Sequence, residues 1–357
     1  MKRKPRRTLL LAVLWACFIV VAGILVAGYG YFEESHDVDD AVEAAADAFL
    51  DGTNPYVEPV VPRFAEMGHF VLIGDPLEGE IEWAYGPYNY LPLDLLFYSA
   101  CYGALGWLGS PTWFVLVNVV LAAASMYILN LRFKADWLLF APVAGMVVVF
   151  LAFDNSALTL LLMVSALHIR DRFKVHPNEL SLFVLGLATL TKIFAAIPLV
   201  VFLLLDLQER FKGRDMRAVL RTIVTVGACG ALALLVIMPF GMSDVLDSTV
   251  FIYSSGETRD DRPMGGTLLS ELLPDSPYYS LMTFAAIGAT LLLGLRLRSV
   301  NDRVLLVSLA FLAVSVKSTL APFVVPALFL SLRMWESRAE RKAEQGSAPA
   351  AKDGLKK

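Results

Sequence analysis

Apolar segments of spanning or near-spanning length recur along this 357-residue chain and set the strongest limit on its fold. In hydrocarbon the backbone polar groups must bond within the segment or within a closed barrel, so helices are the structure to expect. We therefore predict an all-α polytopic membrane protein with about ten transmembrane helices, within a range of roughly nine to eleven. The segments lie near 8–30, 91–109, 112–131, 136–153, 155–169, 179–206, 218–240, 278–296, 303–317 and 318–333.

The first apolar segment, 8–30, follows a cluster of five basic residues between Lys2 and Arg7. A cleaved signal peptide is one interpretation of this pattern. A run of about 23 residues is longer than a typical signal sequence and no small-residue cleavage site ends it, which favours an uncleaved anchor. The basic residues predict a cytoplasmic N-terminus, and hence a unit 1–30 followed by an external loop, 31–90.

The charges between the later segments indicate which side of the membrane each connection faces. An acidic loop at 241–276 is expected outside, and a charged tail at 336–357 is expected to be disordered in the cytoplasm. Alternating spans would place the basic residues at 170–174 outside, against their charge. Dividing 179–206 into two short helices, with Lys192 at an external apex, removes this conflict but requires an odd number of crossings in 91–153. One segment of 91–153 would then be re-entrant or lie in the interface. The helix bundle as a whole is predicted over 91–335. Basic connections predicted to be cytoplasmic are 170–174, 210–221, 296–303 and 333–342.

The loop 31–90 holds fourteen acidic residues and one basic residue, Arg63. This balance excludes a nucleic-acid surface, which needs the opposite charge. Apolar residues recur at helical spacing over 38–50, which predicts an amphipathic helix that stops at Asp51-Gly52. A second interfacial helix is expected over 58–73, and an ordered Pro/Tyr-rich loop over 85–92.

Three carboxylates, Asp37, Asp39 and Asp40, follow the first apolar segment closely. A carboxylate beside an apolar boundary is partly desolvated, and this raises its pKa toward the range of a general base. The alternative is structural, because acidic residues are also common in the first turn of a helix. Both interpretations stand at the level of the sequence.

Isolated charges inside apolar stretches are costly and therefore candidates for function. Lys192 and Lys317 are such cations, and Asp154-Asn155 is the polar counterpart between two apolar segments. Snorkelling to the interface is the alternative for Lys192. Two further cations, Arg259 and Arg262, stand in the second external loop, where they either clamp a phosphate or pair with neighbouring aspartates.

Several chemistries find no support in the sequence. It contains no phosphate-binding loop, no dinucleotide fingerprint and no zinc-protease motif, and its three cysteines lie in apolar runs. We predict no cofactor, although the acidic cluster leaves a divalent ion open. The loop tyrosines either stack on sugar faces or belong to the aromatic belt at the membrane interface.

The order of these motifs resembles the polytopic GT-C glycosyltransferases, especially the polyprenyl-phosphate-mannose-dependent enzymes of glycosyltransferase family 87. In that family a first span precedes a large external loop with an early aspartate, a helix that ends in an Asn-Pro-Tyr motif, and a Tyr/Pro-rich approach to the next span. A polar turn and a lysine-aromatic-proline segment follow. The similar segments here are Asp37–Asp40, Phe49–Tyr56, Tyr85–Pro92, Asp154-Asn155 and Leu190–Pro198.

The resemblance implies inverting transfer of a hexose, mannose in particular, from a polyprenyl-phosphate donor to a lipid-linked or glycan acceptor at the extracytoplasmic face. One aspartate among Asp37, Asp39 and Asp40 would be the general base. The donor phosphate would be held by Lys192, Lys317, Arg259 and Arg262. Substrate contacts are expected from Asn54, Tyr56, Tyr85, Tyr88, Asp154 and Asn155.

Two other classes of protein remain open. A transporter or lipid flippase would also use charges inside the membrane, with its site at the interface between internal repeats, and no repeat is evident. A membrane scaffold would leave Lys192 and Lys317 without a role. Membrane lipids are partners in every case.

Overall fold

The computed structural model describes residues 37–58, 60–64, 83–86, 88, 90–110, 112–133, 142–144, 147, 154–249, 279–297, 299–314 and 321–347. Within these ranges the chain is mainly helical. The elements, in chain order, are α1 (Asp37–Leu50), β1 (Val61–Phe64), β2 (Trp83–Gly86), α2 (Pro92–Leu105), α3 (Thr112–Phe133), α4 (Ala157–Arg172), α5 (Pro177–Thr189), α6 (Ala196–Lys212), α7 (Met216–Ile237), α8 (Met242–Thr249), α9 (Tyr279–Gly294), α10 (Val300–Val314) and α11 (Val324–Ser347).

The predicted loop helix is present as α1 and buries one face, which includes Ala41, Val42 and Ala45. It ends as the sequence indicates. Gly52 adopts a positive φ of 84°, a conformation that glycine accepts without steric cost. The amide of Gly52 donates to the carbonyl of Phe49 over 3.1 Å, and that of Thr53 to Ala48 over 2.8 Å, which together satisfy the last carbonyls of the helix.

The prediction of an interfacial helix over 58–73 is wrong at 61–64, and the fold is therefore not entirely helical. Strands β1 and β2 form an antiparallel pair in which Val61 is opposite Gly86 and Phe64 is opposite Trp83. The β-branched and aromatic residues of these segments favour a strand, and Pro62 removes a donor that a helix interior would need. Residues 65–82 lie outside the described part of the chain.

The long apolar segment 179–206 is divided into two helices, which was one way to resolve the charge conflict. Helix α5 ends at Thr189 and α6 begins at Ala196, after one turn of 3-10 helix over Ile193–Ala195. Lys192, in an extended conformation, stands in this break. The break positions a polar segment at the end of two apolar helices, and which side of the membrane it faces remains a prediction.

Two groups of buried apolar side chains fill the fold. One lies among α3, α4, α5, α6, α10 and α11. The other joins the loop segment to the helix ends, and we call it the loop-side cluster; its members include Ala41, Ala45, Tyr56, Tyr88, Leu95, Tyr98, Trp113, Phe114, Ala157 and Phe240.

Two helices of the described ranges are long and apolar enough to cross a bilayer, namely Thr112–Phe133 and Met216–Phe240. In the second, only 6% of the apolar window is buried against protein. The helix Phe284–Gly294 is apolar but shorter. Ten membrane helices are therefore not confirmed, and both the first apolar segment and most of 136–153 lie outside the described residues.

The end of the chain differs from the expected disordered tail, because α11 continues to Ser347. Residues 336–347 are thus helical, and 348–357 lie beyond the described part. Ion pairs account for the extension. Arg333 lies 3.8 Å from Glu336, 3.6 Å from Glu340 and 3.0 Å from Asp302 of α10, so charged side chains support the helix past its apolar portion.

Candidate functional site

A fully buried carboxylate, Asp94, is the centre of the most polar buried region among the described residues. It stands in the first turn of α2, two residues after Pro92. Proline is common at the first position of a helix, and the N-terminal end of a helix stabilises negative charge. One carboxylate oxygen, Oδ2, accepts a 2.8 Å bond from the Tyr88 hydroxyl and a 2.6 Å bond from the Asn155 amide. The other, Oδ1, has no hydrogen-bond partner within the described residues.

Tyr88 connects the loop 31–90 to this carboxylate. Its backbone amide donates to the carbonyl of Pro55 over 2.7 Å, and its ring packs edge-on against those of Tyr56 and Tyr90. Burial, followed by the nearby Asp94 charge, raises the pKa of Tyr88 well above its ordinary value. The phenol therefore stays protonated and remains a hydrogen-bond donor to Asp94.

Lys192 projects from the helix break toward the same region and is 6% exposed. Its ammonium bonds to the side-chain oxygen of Asn155 and lies 3.8 Å from Oδ1 of Asp154. The ammonium also lies 3.5 Å from the centre of the Tyr90 ring, which is a cation–π contact. The cation thus touches both the loop and the turn before α4.

The turn Asp154-Asn155-Ser156 precedes α4, and all three residues are buried. The Ser156 hydroxyl donates to Asp154, and the Asn155 amide links Asp94 to Lys192 by using both of its ends. The backbone of the turn is held as well, because the Asn118 amide donates to the Asp154 carbonyl over 3.4 Å while its oxygen accepts from the Tyr98 hydroxyl over 2.6 Å. These bonds fix the direction of each side chain.

The break itself is tied to its neighbours. The hydroxyls of Thr159 in α4 and Thr191 in the break lie 2.8 Å apart, and the amide of Leu93 donates to the carbonyl of Leu190 over 3.3 Å. The N-termini of α2 and α4 therefore meet the break between α5 and α6. We call the residues Tyr88, Tyr90, Asp94, Asp154, Asn155 and Lys192 the polar junction.

The polar junction contains two carboxylates and one ammonium, all of them buried. Desolvating three ionisable groups is expensive, and an apolar set of the same volume is often as stable or more stable. Stability is thus a weak reason for such a cluster. It is instead an arrangement that fixes charges at defined positions, which a binding or catalytic site requires.

A second set of contacts holds the loop beside the polar junction. The Asn54 amide donates to the carbonyl of Phe240 over 2.8 Å, while its oxygen accepts from the amide of Tyr56 over 3.1 Å. The Tyr56 hydroxyl then donates to the carbonyl of Tyr90 over 2.7 Å. The loop residues thus join the end of α7 to the approach to α2.

The three loop aspartates stand in the first turn of α1. Asp37 is the first residue of the helix, Asp39 is buried and Asp40 is exposed. On the next turn, Glu43 accepts a 2.8 Å bond from the indole of Trp113, so the start of α1 is docked against α3.

Comparisons with known proteins identify the family and the fold of the chain. The model of glycosyltransferase family 87 matches residues 83–326, more than half of the chain. The chain belongs to glycosyltransferase family 87. The predicted family is thereby confirmed. No curated protein gives a significant match.

Family 87 membership is accompanied by a likeness to a solved structure. The fold is similar to that of ArnT from Cupriavidus metallidurans bound to undecaprenyl phosphate, with a TM-score of 0.50 and 16% identity over 93% of this chain and 62% of that chain. The apo state of ArnT gives a TM-score of 0.47 with 16% identity, over 94% and 63% of the two chains. This chain spans about three fifths of the length of ArnT. The likeness confirms the predicted GT-C fold.

Among the predicted site residues of this family 87 chain, the structure brings Tyr88, Asp154, Asn155 and Lys192 together and places Asn54 and Tyr56 beside them. The donor-binding candidates Arg259, Arg262 and Lys317 lie outside the described residues. Tyr85 lies in β2, opposite Pro62. Within the described ranges, no three His, Cys, Asp or Glu side chains stand together as a metal ion would need.

Asp94 was missed at the level of the sequence, although a signal was present. It is the one charged residue in the apolar segment 91–109. An ionisable residue in such a segment is a candidate for function by the argument that singled out Lys192.

Proposed function

We propose that this chain is a multi-pass membrane glycosyltransferase that transfers a hexose, mannose in particular, from a polyprenyl-phosphate donor. The acceptor is a hydroxyl of a lipid-linked or glycan molecule at the extracytoplasmic face. The observation that carries the proposal is the polar junction, where loop tyrosines meet buried charges at three helix ends in a member of a glycosyltransferase family. The exposed apolar surface of α7 fits contact with membrane lipids.

A polyprenyl-phosphate donor is supported by the fold. ArnT shares this fold, and its crystal structure is bound to undecaprenyl phosphate. A lipid-borne phosphate needs cations close to the apolar part of the protein, because its prenyl chain stays in the hydrocarbon. Lys192 meets this requirement as a buried ammonium beside the loop.

Lys192 also has hydrogen-bonding capacity for a phosphate. An ammonium carries three donors, and within the described residues one of them bonds to Asn155. The pair with Asp154, at 3.8 Å, is longer than a hydrogen bond. A phosphate oxygen can thus accept from Lys192 while Asn155 keeps its direction. We assign the same role to Lys317, Arg259 and Arg262.

The general base is one of Asp37, Asp39 and Asp40. It removes the proton of the acceptor hydroxyl as the acceptor oxygen forms a bond to the anomeric carbon of the sugar. The bond from that carbon to the phosphate oxygen breaks, and the polyprenyl phosphate leaves with the electron pair. Attack from the face opposite the leaving group inverts the configuration. Of the three, Asp39 combines a position in the first turn with burial, which favours it as the base.

The sugar is expected to lie against the loop. An open depression next to the polar junction is lined by Asn54 and its neighbours Gly52, Thr53, Val57, Glu58 and Val60. Amide and carboxylate side chains with small residues suit the hydroxyls of a sugar. We propose that Asn54, Tyr56, Tyr85, Tyr88, Asp154 and Asn155 form or support the substrate contacts.

The test is a transfer assay with purified protein in lipid nanodiscs, radiolabelled polyprenyl-phosphate mannose and a lipid extract from the source membrane. Labelled product is expected from the native protein and from Asp47→Asn, an exposed acid on α1 that serves as the control. Loss of product is expected from Asp39→Asn.

Three outcomes are decisive for this assay. If labelled product forms with a polyprenyl-phosphate glucose donor but not with the mannose donor, the assignment of mannose is wrong and the proposed transferase activity stands. Movement of label across a vesicle membrane with no covalent product would support the carrier instead. Unchanged transfer in the triple variant of Asp37, Asp39 and Asp40 to Asn would end the proposal that a loop aspartate is the base.

A further inference from the structure

A cavity of about 250 Å³ lies between the C-terminal ends of α3 and α4, where Trp335 of α11 closes one side. It is far from the polar junction. Helix α4 begins at the junction and has 16 residues, so its two ends are about 24 Å apart at 1.5 Å per residue. The cavity is therefore a separate feature of the opposite end of the bundle.

The polar lining of this cavity is mainly basic. It includes Arg132, Arg172 and His168, with Asp171 as its acid. Arg170, on the same helix, points elsewhere, since it forms two bonds of 2.5 and 3.1 Å with the fully buried Asp206. The two arginines of the lining thus carry more positive charge than its one carboxylate can neutralise.

Arg132 is held in place and yet is incompletely bonded. Its guanidinium lies 5.4 Å from the centre of the Trp335 ring, and one terminal nitrogen pairs with Asp171. Its Nε is buried and has no hydrogen-bond partner in the part of the chain that the structure describes. A stacked guanidinium with a free donor is a geometry that binds phosphate well, because the fork of donors matches two phosphate oxygens.

The remaining wall of the cavity is apolar. It is formed by Leu129 of α3 and by Val164 and Leu167 of α4, which lie deeper in the bundle than the charged mouth. A free inorganic anion would gain nothing from such a wall. A lipid with a phosphate headgroup matches both parts, and basic pockets between helices are known to hold anionic headgroups.

We propose that this cavity binds the phosphate headgroup of an anionic lipid, with Arg132 and Arg172 as its ligands and the apolar wall against the lipid tail. Asp171 is then an internal competitor, because it occupies the terminal nitrogen of Arg132 that a phosphate would use. It is 41% exposed and free to turn toward solvent when the lipid enters.

This role of Asp171 provides a sharp test. Arg132→Gln and Asp171→Asn remove the same ion pair, so a purely structural role would move both variants in one direction. Lipid binding predicts opposite directions. Losing a charge-assisted bond to phosphate is expected to weaken binding by about tenfold or more in Arg132→Gln. Asp171→Asn is expected to bind several-fold more tightly, since the competing carboxylate is gone.

The measurement is calorimetric titration of the detergent-purified full chain with short-chain phosphatidic acid. Phosphatidylcholine of the same chain length and inorganic phosphate are titrated in parallel. Arg296→Gln is the matched control, because it removes an exposed arginine outside the cavity. Tight binding of phosphatidic acid alone, with the opposite shifts above, is the expected result.

The proposal is overturned if Asp171→Asn and Arg132→Gln weaken binding equally, or if Arg296→Gln weakens it as much as Arg132→Gln. If inorganic phosphate binds as tightly as phosphatidic acid, the cavity is a site for a free anion and the proposal of a lipid ligand is overturned. Equal affinity for phosphatidylcholine would show that the negative charge plays no part.

Discussion

The hydroxyl of Tyr88 lies 2.8 Å from the buried carboxylate of Asp94, so the loop 31–90 is hydrogen-bonded to the first turn of α2. The loop is therefore not an appendage above the bundle. It supplies a hydrogen-bond donor, the Tyr88 hydroxyl, to the carboxylate that α2 buries. The first three predictions concern the residues on which this arrangement depends.

Replacing Tyr88 with Phe should lower the free energy of unfolding by about 1–3 kcal/mol, because a buried carboxylate oxygen loses a donor. Thermal unfolding in detergent measures the loss. Tyr127→Phe, at an exposed position on α3, is the control and should unfold like the native protein. An equal shift in both variants would contradict a role for the bond to Asp94.

The same bond gives a pH dependence. The pKa of Tyr88 is raised in the folded state by burial and then by Asp94, so the contribution of the protonated phenol is complete below about 10, the pKa of an exposed tyrosine. It is lost as the pH rises above that value toward the folded-state pKa. The stability difference between native protein and Tyr88→Phe should therefore shrink as the pH rises above about 10, which urea unfolding at several pH values would measure.

Lys192→Met should destabilise the protein by about 3–5 kcal/mol, because it leaves Asp154 and Asp94 buried without their cation. Asp154→Asn should be milder, and the double variant should recover part of the loss. A coupling of about 1–3 kcal/mol is expected for groups in direct contact. Additive effects in the three variants would show that the two side chains act independently.

Gly186 marks a close approach of α5 to α7. A Cβ at this position would lie 2.7 Å from Sγ of Cys229, whereas at Gly227 of α7 nothing lies within 4 Å. Gly186→Ala should therefore destabilise by about 1–3 kcal/mol through overpacking. Gly227→Ala should be neutral or stabilising. Adding Cys229→Ala to Gly186→Ala should restore stability, because it removes the sulfur that the new methyl group meets. If stability is not restored, the contact with Cys229 is not the cause of the destabilisation.

The loop aspartates should separate activity from folding. Asp39→Asn is expected to abolish transfer while the protein unfolds at nearly the native temperature, because an amide preserves the shape but accepts no proton. Asp37→Ala is the second candidate for the same loss. Asp40→Asn, at an exposed position, should retain activity if Asp39 is the base. If Asp39→Asn stays active and Asp37→Ala loses activity, the general base is Asp37.

The sequence allowed the helices and part of the site to be predicted. Apolar periodicity identified α1, and the cost of a charge in an apolar stretch identified Lys192 and Asp154. The pairing of Val61–Phe64 with Trp83–Gly86 was not predictable, since the segment 65–82 between the strands is far longer than a hairpin loop of about two to five residues. Nor was the cavity at Arg132, which depends on Trp335 arriving from a helix about two hundred positions later in the chain.

The bond from Asn54 to the carbonyl of Phe240 joins residues that are 186 positions apart. During synthesis, the ribosome must therefore produce the whole of α2 to α7 before this anchor of the first loop becomes available. Until then the loop is held by its contacts with the helices already made, such as that of Tyr90 with Lys192. A ribosome-bound chain halted before residue 240 should thus expose the segment around Asn54 to protease, and one released after α8 should protect it. The loop is in this way completed late in biogenesis, and partly made chains lack its anchor at the end of α7.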